Sequence, residues 1–220
     1  MNKQAWNRFF RPVATVSLCC AAVMSLQGCV ELAVGSAVVG SIAATDRRTF
    51  GAQTEDKAIA LKGENRLSRA LGDAAHINVN AFNRRALLTG EVANEESRQT
   101  AEREVRAIDG VVAVSNEIQI AGLSNFSARS NDALITTKVK ASFVDSKDVY
   151  ASAFKVVTEA GTVYLMGRVT QSEGNRAAEV ASGVSGVRKV VKVFEYISEA
   201  ELKAYQAEFL ASPDKSETSK

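Results

Sequence analysis

The stretch Ala86-Leu87-Leu88-Thr89-Gly90-Glu91-Val92 returns 77 residues later as Val163-Tyr164-Leu165-Met166-Gly167-Arg168-Val169. A second block, Ile108-Asp109-Gly110-Val111, returns after 76 as Val184-Ser185-Gly186-Val187. Two blocks recurring at nearly one spacing mark a duplicated supersecondary unit, and 79–120 can be laid over 156–196. The one-residue difference places a gain or loss in the intervening helix. The fold turns on what one copy of this unit is.

Working outward from the second copy, each unit reads helix, strand, strand, helix, strand. Ile135, Val139 and Phe143 recur at i, i+4, i+8 and share one helical face. Asp132 is expected in the first turn of that helix, favouring its dipole, behind Ser130 or Asn131 as cap. Phe154-Lys155-Val156-Val157 and Thr162-Val163-Tyr164-Leu165 are β-branched and aromatic runs joined by the tight turn Glu159-Ala160-Gly161. Ala177, Val180, Ala181 and Val184 form the next stripe, with Gly186 expected just past its end. The first copy repeats this with Ile59, Leu67 and Leu71, a hairpin tipped by Asn83-Arg84-Arg85, and then Ala101, Val105 and Ile108. Its first helix-to-strand loop is shorter by about five residues than in the second copy. The expected class is α+β, each unit a three-stranded sheet with two helices.

The amino-terminal region is of another kind. Lys3, Arg8 and Arg11 precede an uncharged run over 12–26, as in an export signal. At about 15 residues the run falls short of the roughly 20 that span a bilayer. Leu26-Gln27-Gly28-Cys29 resembles the lipobox of bacterial lipoproteins. That resemblance implies cleavage between Gly28 and Cys29, diacylglycerol on the Cys29 sulfur and an acyl group on its new amine. Val30, rather than Asp, at the next position resembles the signal for release to the outer membrane. Cys19 and Cys20 leave with the leader, so the mature chain has no intrachain disulfide. Three of the 27 basic residues leave too, and 24 remain against 25 acidic, a net of −1. A weakly acidic exported chain gives no argument for nucleic acid. The Gly- and Ser-bearing segment from Val30 to about Gln53 reads as a flexible tether.

The opening Asp helix, the V-x-L-x-G-x-V core, the Ala-rich helix running into Gly-Val and the final V-x-N-x-I resemble the BON domain. Two such units behind a lipobox resemble the dual-BON outer-membrane lipoproteins of the DolP type, over about residues 26–197. The expected layout is a leader over 1–28, a lipidated linker over 29–55, BON domains over 56–122 and 131–198 with a linker over 123–130 between them, and a tail over 199–220. The resemblance implies a non-catalytic protein anchored in the outer membrane and facing the periplasm. It further implies support of envelope integrity, association with division sites, and binding of anionic phospholipid through the first helix of the second BON domain. One departure is that Leu134 stands where the family can carry tryptophan, which removes the interfacial preference of an indole.

The chemistry-bearing residues fit a non-enzyme. His76 is the only histidine, and Cys29 is consumed by lipid, which excludes Cys/His zinc sites and Ser-His or Cys-His catalysis. His76 is expected in a structural role near the start of a strand, and Glu95-Glu96 in the opening turn of a helix. No Walker-type phosphate loop is present. Gly183-Val184-Ser185-Gly186 lies between a helix and a strand, unlike a nucleic-acid-clamping G-x-x-G loop. No cofactor, metal or small-molecule substrate is expected beyond the acyl groups on Cys29.

Charge separates the two units. Residues 54–122 carry 9 basic and 11 acidic residues, whereas 130–198 carry 9 and 7, so anionic lipid is expected at the second. There Leu134 lies about 140° from the centre of the buried stripe and shares a flank with Lys138 and Ala141. An apolar side chain beside a lysine suits headgroup contact. The rival reading is an adaptor that docks outer-membrane assembly or cell-wall remodelling proteins. After Ile197, Ser198-Glu199-Ala200-Glu201 forms a capping box, and Leu202, Tyr205 and Phe209 predict a short amphipathic helix to about Ala211, followed by a disordered tail.

Overall fold

The computed structural model describes residues 46–211, with side chains through 207. The leader, Gly28, Cys29, the chain as far as 45 and the tail from 212 lie outside the described residues. The first repeat comprises α1 (Phe50–Leu71), β1 (Ala75–Phe82), β2 (Arg85–Val92), α2 (Glu95–Arg106), β3 (Ala113–Asn116) and β4 (Gln119–Ile120). The second comprises α3 (Phe126–Asp145), β5 (Phe154–Glu159), β6 (Thr162–Val169), α4 (Gln171–Ser182) and β7 (Lys189–Tyr196), and α5 (Glu199–Ala211) follows. In each, an antiparallel hairpin supplies the first two strands, and the last strand runs parallel to the central one. Among the described residues no helix is long and apolar enough to cross a membrane.

The two periodicities decide what each face buries. Ile59 and Leu67 on α1, Leu88 on β2, and Ala101 and Val105 on α2 close the first core. Ile135, Val139 and Phe143 on α3, Leu165 on β6, and Ala177 and Ala181 on α4 close the second. The motif glycines have a shared reason. A Cβ at Gly167 would meet the Ala153 carbonyl oxygen at 2.6 Å, and one at Gly90, where φ is +116°, would run into the His76 carbonyl oxygen. Both occupy the same repeat position, where the neighbouring strand passes too close for any side chain.

Several expected boundaries move. α3 begins at Phe126 behind the Asn125 cap, so most of the expected 123–130 linker is helix. Asp132 is therefore not a first-turn acid. It is buried in mid-helix, where its carboxylate accepts the Ala160 and Gly161 backbone N–H groups at 2.8 Å each. Asp56 does the same for Asn83 and Arg84 at 2.7 Å. These four turn residues all have positive φ, and the carboxylate satisfies donors that face inward at the bend. α1 begins at Phe50 behind Thr49, which shortens the tether that was expected to run to Gln53. α4 ends at Ser182 with Gly183 as its cap, and Gly186 turns the following loop at φ +99°. α2 and α4 are both 12 residues long. The one-residue difference therefore lies before the helix, in the connection 93–94 against 170, where a loop absorbs what a helix would have to rephase.

The sheets use their second faces on each other. Phe82 and Leu87 of the first and Tyr164 and Met166 of the second form a third core, all at 3% exposure or less, with Val157, Val191 and Val193 around them. Full burial of such a side chain stabilises by roughly 1.5–3 kcal/mol. Polar contacts frame this core: Asn83 Nδ2 donates to Glu195 at 2.6 Å, Asn78 Nδ2 to Glu159 at 2.8 Å, and Lys155 Nζ to the Ala81 carbonyl at 3.3 Å. Burial, ahead of the nearby Arg48 charge, pushes the Lys155 ammonium below its ordinary range. Residues 46–49 strap both repeats. Arg48 pairs with Asp56 at 2.7 Å and lies over the Phe82 ring, while Arg47 reaches Glu173 and the Arg168 carbonyl of the second.

Candidate lipid-contact face

α3 turns its buried stripe inward and leaves a second apolar stripe outside. At about 100° per residue, Phe126, Leu134, Thr137, Ala141 and Val144 fall within about 80° of one another. Phe126 is 80% exposed, Leu134 61% and Val144 73%. Thr137 turns its hydroxyl back onto the Ala133 carbonyl at 2.9 Å, so the polar atom is already satisfied. Lys138 and Lys140, both exposed, flank the stripe, about 40° beyond it on either side. Asp145 at the end of the helix is its one exposed acid. Ser130, half-buried, falls in the same sector, so the result is a largely apolar ridge, interrupted by one hydroxyl, between two cationic edges.

Of the expected contact residues, Leu134, Lys138 and Ala141 are all exposed on this side of α3. Lys138 and Ala141 also line an open groove with Val180 and Val184 between α3 and α4. Phe126 was not foreseen, because the helix was expected to start behind Ser130 or Asn131, and Val144 was not singled out in the sequence although it follows Phe143 on the same helix. The available sequence signal was Asn125 directly before Phe126, a cap as competent as Ser130. Gly28 and Cys29 lie outside the described residues. α5 begins with the expected capping box, Ser198 and Glu201 bonding reciprocally. It sets Tyr205 under the Arg168 guanidinium, 4.7 Å from the ring centre.

A polar cluster sits at the seam of the sheets. His76 Nδ1 lies 3.0 Å from Glu91 Oε2 across β1 and β2, and the Ser124 hydroxyl donates to the same oxygen at 3.2 Å. Glu159 of β5 approaches from the other repeat. Glu91 and Glu159 are 5% and 4% exposed. Burial, above all, pushes the Glu159 carboxyl above its usual range, and Glu91 adds to the rise against the Asn78 hydrogen bond. The histidine is thus half-buried at the start of a strand.

The BON-domain family model matches this chain twice, over residues 55–122 and 131–198. The chain belongs to the BON-domain family. Its relatives refine this placement. It is 40% identical over 189 residues to the outer membrane lipoprotein DolP of Haemophilus influenzae, covering 84% of this chain and 97% of that one. It is 34% identical to a 21 kDa hemolysin of Actinobacillus pleuropneumoniae, over 69% of this chain and 79% of that one. It is 27% identical to the osmotically-inducible protein Y of Escherichia coli, over 52% and 58%. The dual-BON organisation and the near-complete coverage make this chain a dual-BON lipoprotein of the DolP type. In BON terms, the apolar ridge is the first helix of the second domain, and the Asp56 and Asp132 carboxylates occupy matching places in the two domains.

Proposed function

We propose that this BON protein is anchored in the outer membrane by acyl groups on Cys29, faces the periplasm, and rests α3 on anionic phospholipid to maintain the envelope, including at division sites. The role is non-catalytic. The observation that carries this reading is the ridge of Phe126, Leu134 and Val144, exposed between Lys138 and Lys140. Large apolar side chains in line gain by leaving water, and lysines near an anionic surface add about 1 kcal/mol each. From Cys29 to Asp46 there are 17 residue steps, which span at most about 60 Å. A chain so held needs only weak headgroup affinity to choose its orientation. The test is flotation of residues 30–220 with vesicles. Binding to anionic vesicles, its absence on zwitterionic ones, and its loss in Leu134→Glu support the reading; equal flotation of the variant refutes it. The groove beside Lys138 and Ala141 favours a second reading, docking of an envelope protein partner, which predicts no dependence on lipid charge.

A further inference from the structure

We propose that His76, Glu91 and Glu159 form a divalent metal site, best matched to zinc, that ties the two BON domains together across their seam. Donor atoms of the three side chains lie within 4.8 Å of one another. Tetrahedral zinc at ~2.0–2.1 Å from each ligand needs donors about 3.4 Å apart, so closure asks side-chain shifts of about 1 Å and no movement of the strands. One imidazole and two carboxylates are a donor set that zinc accepts, with a fourth position left for water.

Three observations make this more than an acidic cluster. Glu91 and Glu159 are both buried, and among the described residues neither forms an ion pair with a lysine or arginine; His76 is the one partner of this kind. An imidazolium offsets one carboxylate, whereas a divalent ion beside a neutral imidazole offsets both. Thr89 supplies the second observation. Its Oγ1 is fully buried without a hydrogen-bond partner, on the β2 face that carries Glu91 and directly opposite Asn78 in the register. A buried hydroxyl left unpaired is unfavourable, and a metal-bound water on that face would offer it a partner. The third is access. An open groove of about 380 Å³, lined by Glu64, Ser68, Asp73, His76, Ser124 and Arg129, leads from solvent to the histidine. Outer-shell groups are also in place, Ser124 on Glu91 and Asn78 on Glu159, as metal-binding carboxylates need. The ligands come from both domains, so the ion would hold the sheets in their present packing.

The mature lipoprotein in detergent, stripped with chelator, is titrated with zinc chloride while the ring signals of its single histidine are followed by NMR; bound metal is counted by mass spectrometry. We expect one zinc per chain, saturable movement of the His76 signals, and a rise in thermal midpoint. Glu159→Gln keeps the shape of the side chain and should weaken binding by more than the ~10–100-fold that loss of an outer-shell partner costs. His76→Gln, at a half-exposed position, should abolish the stoichiometric ion even if the Glu159 variant fails to fold. Unmoved His76 signals at saturating zinc, or unchanged affinity in both variants, overturns the proposal. Lipid flotation, carried by α3, is unaffected by either result.

Discussion

Replacing Asp132 by Ala removes one carboxylate from the middle of a helix and disturbs a turn 28 residues away. Asp132 is 6% exposed and accepts two backbone N–H groups at 2.8 Å. Hydrogen bonds to a charged group contribute roughly 1.5–3 kcal/mol each, and the orphaned donors add a desolvation cost when they stay buried. Against this, Ala is the better helix former by at most ~0.7 kcal/mol. Ala160, at φ +47°, also loses the anchor that holds a non-glycine residue in the left-handed region, itself worth about 1–2 kcal/mol. The net loss is about 3–7 kcal/mol, a large share of the roughly 5–15 kcal/mol that a fold commands. With both domains melting as one unit, that is on the order of a 10 °C fall in Tm. Urea unfolding measures the free energy, and hydrogen exchange at Ala160 and Gly161 localises it. Asp132→Asn, which keeps one acceptor oxygen, should lose about half as much. A loss in Asp132→Ala below about 1 kcal/mol with intact protection of both amides would refute the reasoning.

Two further outcomes follow from the titrating groups. Burial raises the Glu173 carboxyl, but the Arg47 guanidinium and the Thr170 N–H outweigh it, and the folded value falls below 4.5. A carboxylate so depressed contributes its full stabilisation above 4.5 and loses it as pH falls through the lower folded value. The Arg47 contact of the strap should therefore hold at pH 6 and weaken as pH falls below 4.5, read as faster proteolysis there. Glu173→Gln should weaken it at neutral pH too, while the Arg48–Asp56 pair still holds the strap to the first repeat. Burial, with Glu117 and Glu159 behind it, pushes the Tyr164 phenol up to about 12. In an ultraviolet titration one of the four tyrosines should ionise late, and Tyr164→Phe should remove that step; four tyrosines titrating together would mean that the sheets do not pack.

What the sequence revealed and what it hid divide along physical lines. The α+β unit and its duplication were legible because buried stripes obey short periods: Ile135, Val139 and Phe143 declare a helix wherever they occur. Helix starts were less legible, since Asn125, Ser130 and Asn131 are all competent caps and only the packed structure selects Asn125. That choice hid Phe126 from the lipid-contact face. Asp132 reads in the sequence as a first-turn acid favouring the helix dipole, and its true role is hidden because its bonds run to residues 28 and 29 positions away. The seam was invisible for a related reason. Leu87, Tyr164 and Met166 sit on the strand faces that alternate away from each domain's own core, and nothing in a one-dimensional pattern says that those faces meet. The nearness of His76 and Glu159, 83 positions apart, exists only after they do.

The central claim is that α3 lies against lipid. The single tryptophan of the sequence, Trp6, precedes Cys29, so a form starting at residue 30 has none, and Leu134→Trp gives it one indole at the middle of the ridge. Fluorescence of that indole is measured with anionic vesicles carrying brominated acyl chains. The account predicts a blue shift with strong quenching, both absent on zwitterionic vesicles. An indole that keeps its water-exposed emission and is not quenched while the protein is otherwise folded contradicts it.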